Sequence, residues 1–263
     1  MIETTTEQVT PEMAEAYLSK NPANRPLSPT TVTAFAEDMR LGLWRPTHQG
    51  IAFDQEGNLL DGQHRCAAVI QAGVTVTMQV SRNVPRQYMN VLDAGRKRTA
   101  ADSLAIAGYR YTAVMASIAR IGILYDAKDL SPKHMRSVSG PQVHDYSVQH
   151  AQALTAASAR AMQWRPQIPT TTAISGSSFF LFNRVDPEAT EQFFNAILHM
   201  RTNGEGDPRL ALIRRLNSQR ANREKLTALQ GVDFFIRAWN AWREGVEMDK
   251  LPLAKSVVWR EVR

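Results

Sequence analysis

The sequence predicts an α+β protein in which an N-terminal half of mixed helices and strands is followed by a mostly helical half. Nearly all strand signals lie in the first hundred residues, where IAFD (51–54) and NLLD (58–61) flank a short turn and VTVTMQV (74–80) is rich in β-branched residues. Beyond about residue 100, nearly every periodic stretch has helical spacing. A chain of 263 residues is long enough for one large or two small domains.

Two helices are predicted ahead of the strands, because each has a recognisable start. Thr10 is the expected N-cap of a helix over 10–20, and Ser28 is the expected N-cap of a second helix that ends at Gly42. A proline follows each cap, in the position where a helix tolerates it best. The second helix carries apolar residues at helical spacing, at Val32, Phe35, Ala36 and Met39.

The remaining helices are predicted from apolar periodicity and from capping residues. CAAVIQA gives a short helix that Gly73 closes. The stretch 170–182 (TTTAISGSSFFLF) fits either a helix entered through a Ser/Thr cap or a buried strand. Further helices are predicted over 84–93, 99–108, 112–125, 141–164, 187–202, 208–229 and 231–245.

The composition excludes several classes of protein. It is 43% hydrophobic and 21% charged, as in ordinary globular proteins, and no apolar run approaches the ~20 residues that span a bilayer. The first residues are acidic and polar, unlike a secretory signal. The single cysteine, Cys66, excludes an intrachain disulfide framework and a cysteine zinc site. An intracellular, cytoplasmic protein is the simplest interpretation.

The positive charge is concentrated near the C-terminus. The net charge is +6, and residues 201–263 carry 13 Lys and Arg against 8 Asp and Glu. This excess favours a polyanionic partner such as nucleic acid, although a solvated basic helix face would give the same count. The candidate nucleic-acid-binding residues are Arg214, Arg215, Arg220 and Arg223.

The strongest candidate site is the stretch Asp61–Arg65, called the DGQHR box below, which lies between a predicted strand and a predicted helix. Gly62 permits a backbone conformation that other residues resist. The amides of the following residues, beginning with Gln63, would start a helix, whose N-terminus attracts anions. Arg65 adds a planar charged fork suited to phosphate oxygens, and His64 can donate to a phosphate or transfer a proton.

Asp61 decides which anion the box would suit. A carboxylate repels a bare phosphate, but it becomes useful if it coordinates Mg²⁺, accepts a hydroxyl or acts as a base. The combination therefore favours a nucleotide phosphate chain. The alternative is a structural box, in which Asp61 caps the helix while His64 and Arg65 pair with neighbouring residues.

Two basic segments are further candidates for phosphate binding. Arg25 lies in a proline-rich connector just before Ser28, where it could close over an anion. In LDAGRKRTAAD (92–102), a glycine precedes three cations and a threonine that can cap the next helix. The alternative for both segments is a solvated basic loop. The candidate residues of the second segment are Gly95, Arg96, Lys97, Arg98 and Thr99.

The order and spacing of these segments resemble the ParB/sulfiredoxin-like superfamily, in particular its DGQHR-type branch, which is common in phages and mobile elements. The similarity covers about residues 20–108 and rests on Arg25, the helix after Ser28, LLDGQHRCAAVIQAG and DAGRKRTAAD. The resemblance implies a small mixed sheet in a nucleotide-binding domain over 1–108. A mainly helical, basic domain over 109–263 would then contact nucleic acid or a partner.

The resemblance leaves three functions open. The first is binding of ATP or CTP with Mg²⁺ by a protein that acts on or with DNA, with Asp61 as metal ligand. A homodimer is the form expected for this function. The second is a Mg²⁺-dependent phosphotransferase that acts on the hydroxyl of a small molecule or a modified base. In that case Asp61 and His64 are catalytic, with Glu37 or Asp38 as helpers. The third is a DNA-binding module with a structural box. Sulfiredoxins carry a cysteine where this chain has Gln63, so sulfinic-acid repair is not expected.

Overall fold

The computed structural model describes residues 1–21, 26–87, 99–254 and 256–263. The chain is a mixed α+β protein, 56% helical with a small mixed sheet, so the predicted α+β class is confirmed. It divides into two compact units, Met1–Arg98 with Arg136–Gln142 and Thr99–Met135 with Val143–Arg263. The functional division into domains 1–108 and 109–263 stays a prediction.

The first unit is built on four strands, β1 Glu3–Val9, β2 Ile51–Phe53, β3 Leu59–Asp61 and β4 Val76–Arg82. The strand order in the sheet is β1-β4-β2-β3. β2 and β3 pair antiparallel, which confirms the predicted hairpin, and β2 pairs parallel with β4. β1 pairs antiparallel with β4 along its whole length.

β1 was not predicted from the sequence. Its residues are exposed except for the partly buried Glu7 and the buried Val9. β1 lies at the edge of the sheet, and ETTTEQV has no apolar alternation. The run of β-branched threonines is the local signal that would have indicated a strand. An edge strand with one solvated face needs little apolar surface, so hydrophobic periodicity misses it.

Three helices complete the described core of the first unit, α1 Pro11–Leu18, α2 Pro29–Arg40 and α3 Gln63–Ala72. The predicted caps are confirmed: the Thr10 hydroxyl accepts from the Met13 amide, and the Ser28 hydroxyl accepts from the Thr31 amide. Gly73 ends α3 in the left-handed conformation. The helices and strands share one buried apolar cluster, which includes Val9, Ala36, Met39, Ile51, Phe53, Val69, Met78 and Val80.

No strand occurs among the described residues from Thr99 onward. The helices there agree in the main with the predicted ones. They are α4 Ala100–Ile106, α5 Thr112–Asp126, α6 Pro132–Ser137, α7 Gly140–Gln149, α8 Ala151–Trp164, α9 Thr172–Asn183, α10 Pro187–Leu198, α11 Pro208–Ala221 and α12 Ala228–Glu244.

Several boundaries differ from the prediction. The stretch 141–164 contains two helices, because the chain leaves helical geometry at His150, and α6 was not predicted. The ambiguous stretch 170–182 is helical, with Thr171 as its N-cap. α9 is buried nearly all round, which explains why its sequence lacks an amphipathic pattern. The predicted helix over 84–93 lies largely outside the described residues.

α12 includes residue 230, which separates the predicted helices 208–229 and 231–245, and the break lies earlier, because α11 ends at Ala221. Gly231 lies within α12. A Cβ at this position would lie 2.3 Å from Cδ1 and 2.8 Å from Cγ1 of Ile174. The glycine is therefore explained by close packing of α12 against α9. The same pair of helices places Trp239 against Phe182, with the ring centroids 4.4 Å apart.

Glu7 joins β1 to β4 and α1 through charged and polar contacts. Arg82 donates to both of its carboxylate oxygens, at 2.5 and 3.2 Å, and the Tyr17 hydroxyl donates to Oε2 at 2.7 Å. The hydrogen bonds from Arg82 are the main cause that lowers the pKa of Glu7 to about 2. Burial and the adjacent carboxylate raise the pKa of Tyr17 to about 12.

We expect Glu7→Gln to lower the free energy of unfolding by about 2–3 kcal/mol at pH 7. A carboxylate with a lowered folded-state pKa stabilises the fold above its unfolded value, here 4.5, and loses this contribution as the pH falls towards about 2. The difference between variant and parent should therefore shrink in urea titrations from pH 7 through 5 to 3. Glu3→Gln, on the exposed part of β1, is the control; a pH-independent difference contradicts the expectation.

We expect Gly231→Ala to destabilise the second unit by about 1–3 kcal/mol, because the new methyl group overlaps Ile174. In an exposed helix the same substitution would stabilise by up to about 1 kcal/mol. Gly140→Ala is the matched control, since nothing lies within 4 Å of a Cβ at that helical position. The two variants should shift the melting temperature differently, and equal shifts would refute the packing explanation.

Candidate functional site

The DGQHR box forms the junction between β3 and α3. Asp61 is the last residue of β3, and Gly62 has φ +102°, in the left-handed region that favours glycine. A Cβ at Gly62 would lie 3.0 Å from both Cα and Cγ1 of Ile51, so close packing also excludes a side chain. α3 begins at the next residue, and no side chain caps its N-terminus.

Asp61 and Arg65 hold this turn in place. The Gly62 amide donates to Asp61 Oδ1 at 2.6 Å, while Arg65 Nη1 lies 3.4 Å from Asp61 Oδ2 and donates to the Gly50 carbonyl oxygen at 2.8 Å. The Arg65 side chain is only 12% exposed and that of Asp61 is 32% exposed. The guanidinium therefore has a structural role at the base of the box, and the carboxylate remains accessible to solvent.

Gly50 was not identified from the sequence, although the box depends on it. A Cβ there would lie 1.8 Å from the carbonyl oxygen of Gln79 on β4, a distance that no side chain permits. The close approach of the two backbones places the Gly50 carbonyl oxygen within reach of Arg65. A glycine directly before a predicted strand was the available signal, because such glycines often mark close backbone contacts.

The side chain of Gln63 faces the protein. It is buried, and its Oε1 accepts from Asn21 Nδ2 at 3.0 Å. The predicted contribution of Gln63 to phosphate binding would therefore come from its main-chain amide and not from its side chain. Cys66, one turn further along α3, is fully buried, and burial raises the pKa of its thiol to about 12. A neutral, inaccessible thiol is poorly suited to nucleophilic chemistry.

His64 connects the starts of two helices. Its Nε2 accepts a hydrogen bond from the Ser28 amide at 2.9 Å, which requires that nitrogen to be unprotonated. Ser28 is the N-cap of α2, and His64 is the second residue of α3. The N-termini of α2 and α3 therefore lie side by side, and each carries the positive end of a helix dipole. No sequence signal predicted this contact.

Most of the other predicted phosphate ligands cannot be placed. Arg25, Gly95, Arg96, Lys97 and Arg98 lie outside the described residues. Thr99 is described and belongs to the second unit, where it caps α4 as predicted. Its amide and its hydroxyl both donate to Asp102 Oδ2 at 2.8 Å, so these donors are engaged within a capping box.

Among the described residues, no group of three or more His, Cys, Asp or Glu side chains is arranged to hold a metal ion. Mg²⁺ at nucleotide sites commonly uses one or two carboxylates together with phosphate oxygens and water. A single accessible carboxylate such as Asp61 therefore fits a nucleotide-dependent Mg²⁺ site better than a permanent one. Asp61 as a metal ligand stays a prediction.

The four candidate nucleic-acid-binding arginines differ in their surroundings. Arg214 pairs with Glu205 at the surface, while Arg215 is largely buried between Glu224 and the ring of Phe234. Both charges are thus neutralised locally. Arg220 and Arg223, at and after the end of α11, are exposed and have no acidic partner in the part of the chain that the structure describes.

Comparisons with models of protein families, with characterised proteins and with solved structures returned no match to this chain. The resemblance to the ParB/sulfiredoxin-like superfamily therefore stays a prediction that rests on the motifs and their order. Within the described residues, no helix is both long and apolar enough to cross a membrane.

We expect Arg65→Gln to lower the free energy of unfolding by about 2 kcal/mol, because it leaves Asp61 and the Gly50 carbonyl without their shared cation. Arg40→Gln is the control, since Arg40 also pairs with a carboxylate, that of Glu37, and donates to a backbone carbonyl, that of Gln71, but is exposed. Its effect should stay below about 0.5 kcal/mol. Chemical unfolding of both variants provides the measurement, and equal losses would show that the box arginine has no special structural role.

Proposed function

We propose that the protein binds a nucleotide, ATP or CTP, with Mg²⁺ at the junction of β3 and α3, and that it acts on or with DNA. The observation that carries the proposal is the hydrogen bond between Ser28 and His64, which brings the N-termini of α2 and α3 together. Two helix dipoles that end at one place favour an anion more than either does alone.

The charge of the phosphate chain indicates how the site would be completed. Arg65 is already paired with Asp61, so it cannot by itself neutralise a triphosphate. Arg25 precedes Ser28 by three residues in the chain, and the cationic segment Arg96–Arg98 follows β4. We assign these segments to the phosphates and Asp61 to the bound Mg²⁺.

A DNA-binding module with a structural box is the second candidate. It is supported by the internal partners of the box side chains: the Gly62 amide for Asp61, Asn21 for Gln63, Ser28 for His64 and Gly50 for Arg65. Such a network would be sufficient to explain these residue types. DNA contact would then be made by the exposed Arg220 and Arg223, and nucleotides would have no effect.

A phosphotransferase is the third candidate, supported by the accessibility of Asp61. Its carboxylate would orient or deprotonate an acceptor hydroxyl, and catalysis would depend mainly on positioning and charge stabilisation. The suggested helpers are less suitable. Glu37 pairs with Arg40 at the surface, and Asp38 is buried against the Ser139 hydroxyl.

We expect ATP or CTP with Mg²⁺ to raise the melting temperature of the full-length protein, since a ligand at 100 times its Kd stabilises the folded state by about 2.7 kcal/mol. Replacing Arg96, Lys97 and Arg98 by glutamine should abolish the response. Arg220→Gln with Arg223→Gln should keep it while weakening DNA binding and its salt dependence. The thermal-shift screen covers ATP, CTP, GTP and UTP, each with and without Mg²⁺.

The thermal-shift screen, together with measurements of DNA binding and of ADP release, separates the three candidates. DNA binding without a response to any nucleotide contradicts the proposal and favours the module with a structural box. ADP release in the presence of an acceptor, lost in Asp61→Asn, favours the phosphotransferase. Nucleotide-dependent stabilisation that survives the triple substitution would show that the basic segment has been assigned wrongly.

A further inference from the structure

The second unit contains a groove between α12 and the segment that follows it. This segment leaves the helix after Gly245, runs back along it and returns, so that two legs contact one face of α12. The outgoing leg is fixed by Arg237 Nη1, which donates to the Pro252 carbonyl at 2.8 Å. The returning leg is fixed by Asn240 Nδ2, which donates to the Glu261 carbonyl at 2.7 Å. The space between the legs measures about 470 Å³, within the range of small-molecule sites.

One end of the groove carries an excess positive charge. The carboxylate of Asp233 is 3% exposed and lies 3.6 Å from Arg237 Nη1 and 3.2 Å from Arg260 Nε. Two guanidinium groups thus share one buried carboxylate. The cluster has a net charge of +1, and both arginines line the groove.

The other end carries an excess negative charge. Glu244 and Glu261 line the groove together with Arg263, which forms an ion pair with Glu244. The hydrogen bond to Glu244 and the charge of Glu261 both raise the pKa of Arg263. Two side-chain carboxylates thus act on one guanidinium. Arg237 and Glu244 are seven residues apart on α12, which separates the two ends by about 10 Å.

The middle of the groove is apolar. Ala241 forms a small floor on α12, and Val246, Met248 and Trp259 supply the walls. The indole of Trp259 is held in place, because its Nε1 donates to the Tyr125 carbonyl at 2.9 Å. A bound molecule would therefore meet charge at both ends and apolar surface between them.

We propose that this groove binds a short zwitterionic peptide of about three residues. Its carboxylate lies at Arg237 and Arg260, its ammonium group at Glu244 and Glu261, and its central side chain against Trp259. An extended tripeptide spans about 10 Å, which matches the separation of the charged ends. The inference is independent of the nucleotide proposal, which concerns the first unit.

The test titrates the full-length protein with Ala-Leu-Ala and follows both tryptophan fluorescence and heat. The same peptide with an acetylated amino group, and with an amidated carboxyl group, provides matched probes that each lack one charge. We expect the free peptide to bind and each blocked form to bind about tenfold more weakly. Equal affinities for all three peptides, or no binding at millimolar concentration, would overturn the proposal.

The exposed side chains of Arg260 and Glu261 allow each end to be tested, because Arg237 still pairs with the buried Asp233 when Arg260 is replaced. Arg260→Gln should weaken the free and acetylated peptides about five- to tenfold and leave the amidated peptide unchanged. Glu261→Gln should weaken the free and amidated peptides and leave the acetylated one unchanged. Circular dichroism checks the fold of both variants, and Arg201→Gln, at an exposed residue of the same unit outside the groove, is the control. Uniform weakening of all three peptides by either variant would contradict the proposed orientation.

Discussion

The left-handed conformation of Gly62 is the constraint on which the first unit depends. It lets the chain pass from β3 into α3 within one residue, against a backbone at Ile51 that leaves no room for a Cβ. The direction of α3 follows from this turn, and so does the position of its N-terminus beside that of α2. The turn at Gly62 therefore also places two helix N-termini, each with the positive end of a helix dipole, at the junction to which we assign the nucleotide phosphates.

The internal partners of the box side chains and a ligand-binding role are compatible. Arg65 and Asp61 hold the turn between β3 and α3, and His64 holds the start of α2 through Ser28. Helix dipoles arranged in this way are oriented before any ligand arrives, so binding would cost little reorganisation. Asp61 holds the turn and is still 32% exposed, so under the proposed function the same carboxylate would also be available to the metal or to an acceptor.

Local features of the fold could be predicted from the sequence, and distant contacts could not. The hairpin, the caps at Thr10 and Ser28 and the end of α3 at Gly73 depend on residues a few positions apart. The contacts that define the candidate site join residues far apart in the chain. Ser28 and His64 are 36 positions apart, and Gly50 and Arg65 are 15 apart. The glycine at position 231 has a cause of the same kind, since α12 packs there against Ile174, which is 57 positions away in the chain.

The basic C-terminal region shows why a charge count alone is a weak guide to a nucleic-acid surface. Several of its arginines are held in ion pairs, such as Arg214–Glu205, Arg215–Glu224 and Arg243–Asp186, so fewer basic side chains are available than the count suggests. Arg220, Arg223 and Lys225 remain as exposed charges, so the end of α11 and the residues after it could neutralise about three phosphates and would give a shallow salt dependence. A steeper dependence would require the basic segment Arg96–Arg98. In that case nucleotide and DNA would compete for the same cations, and the protein could respond to one by releasing the other.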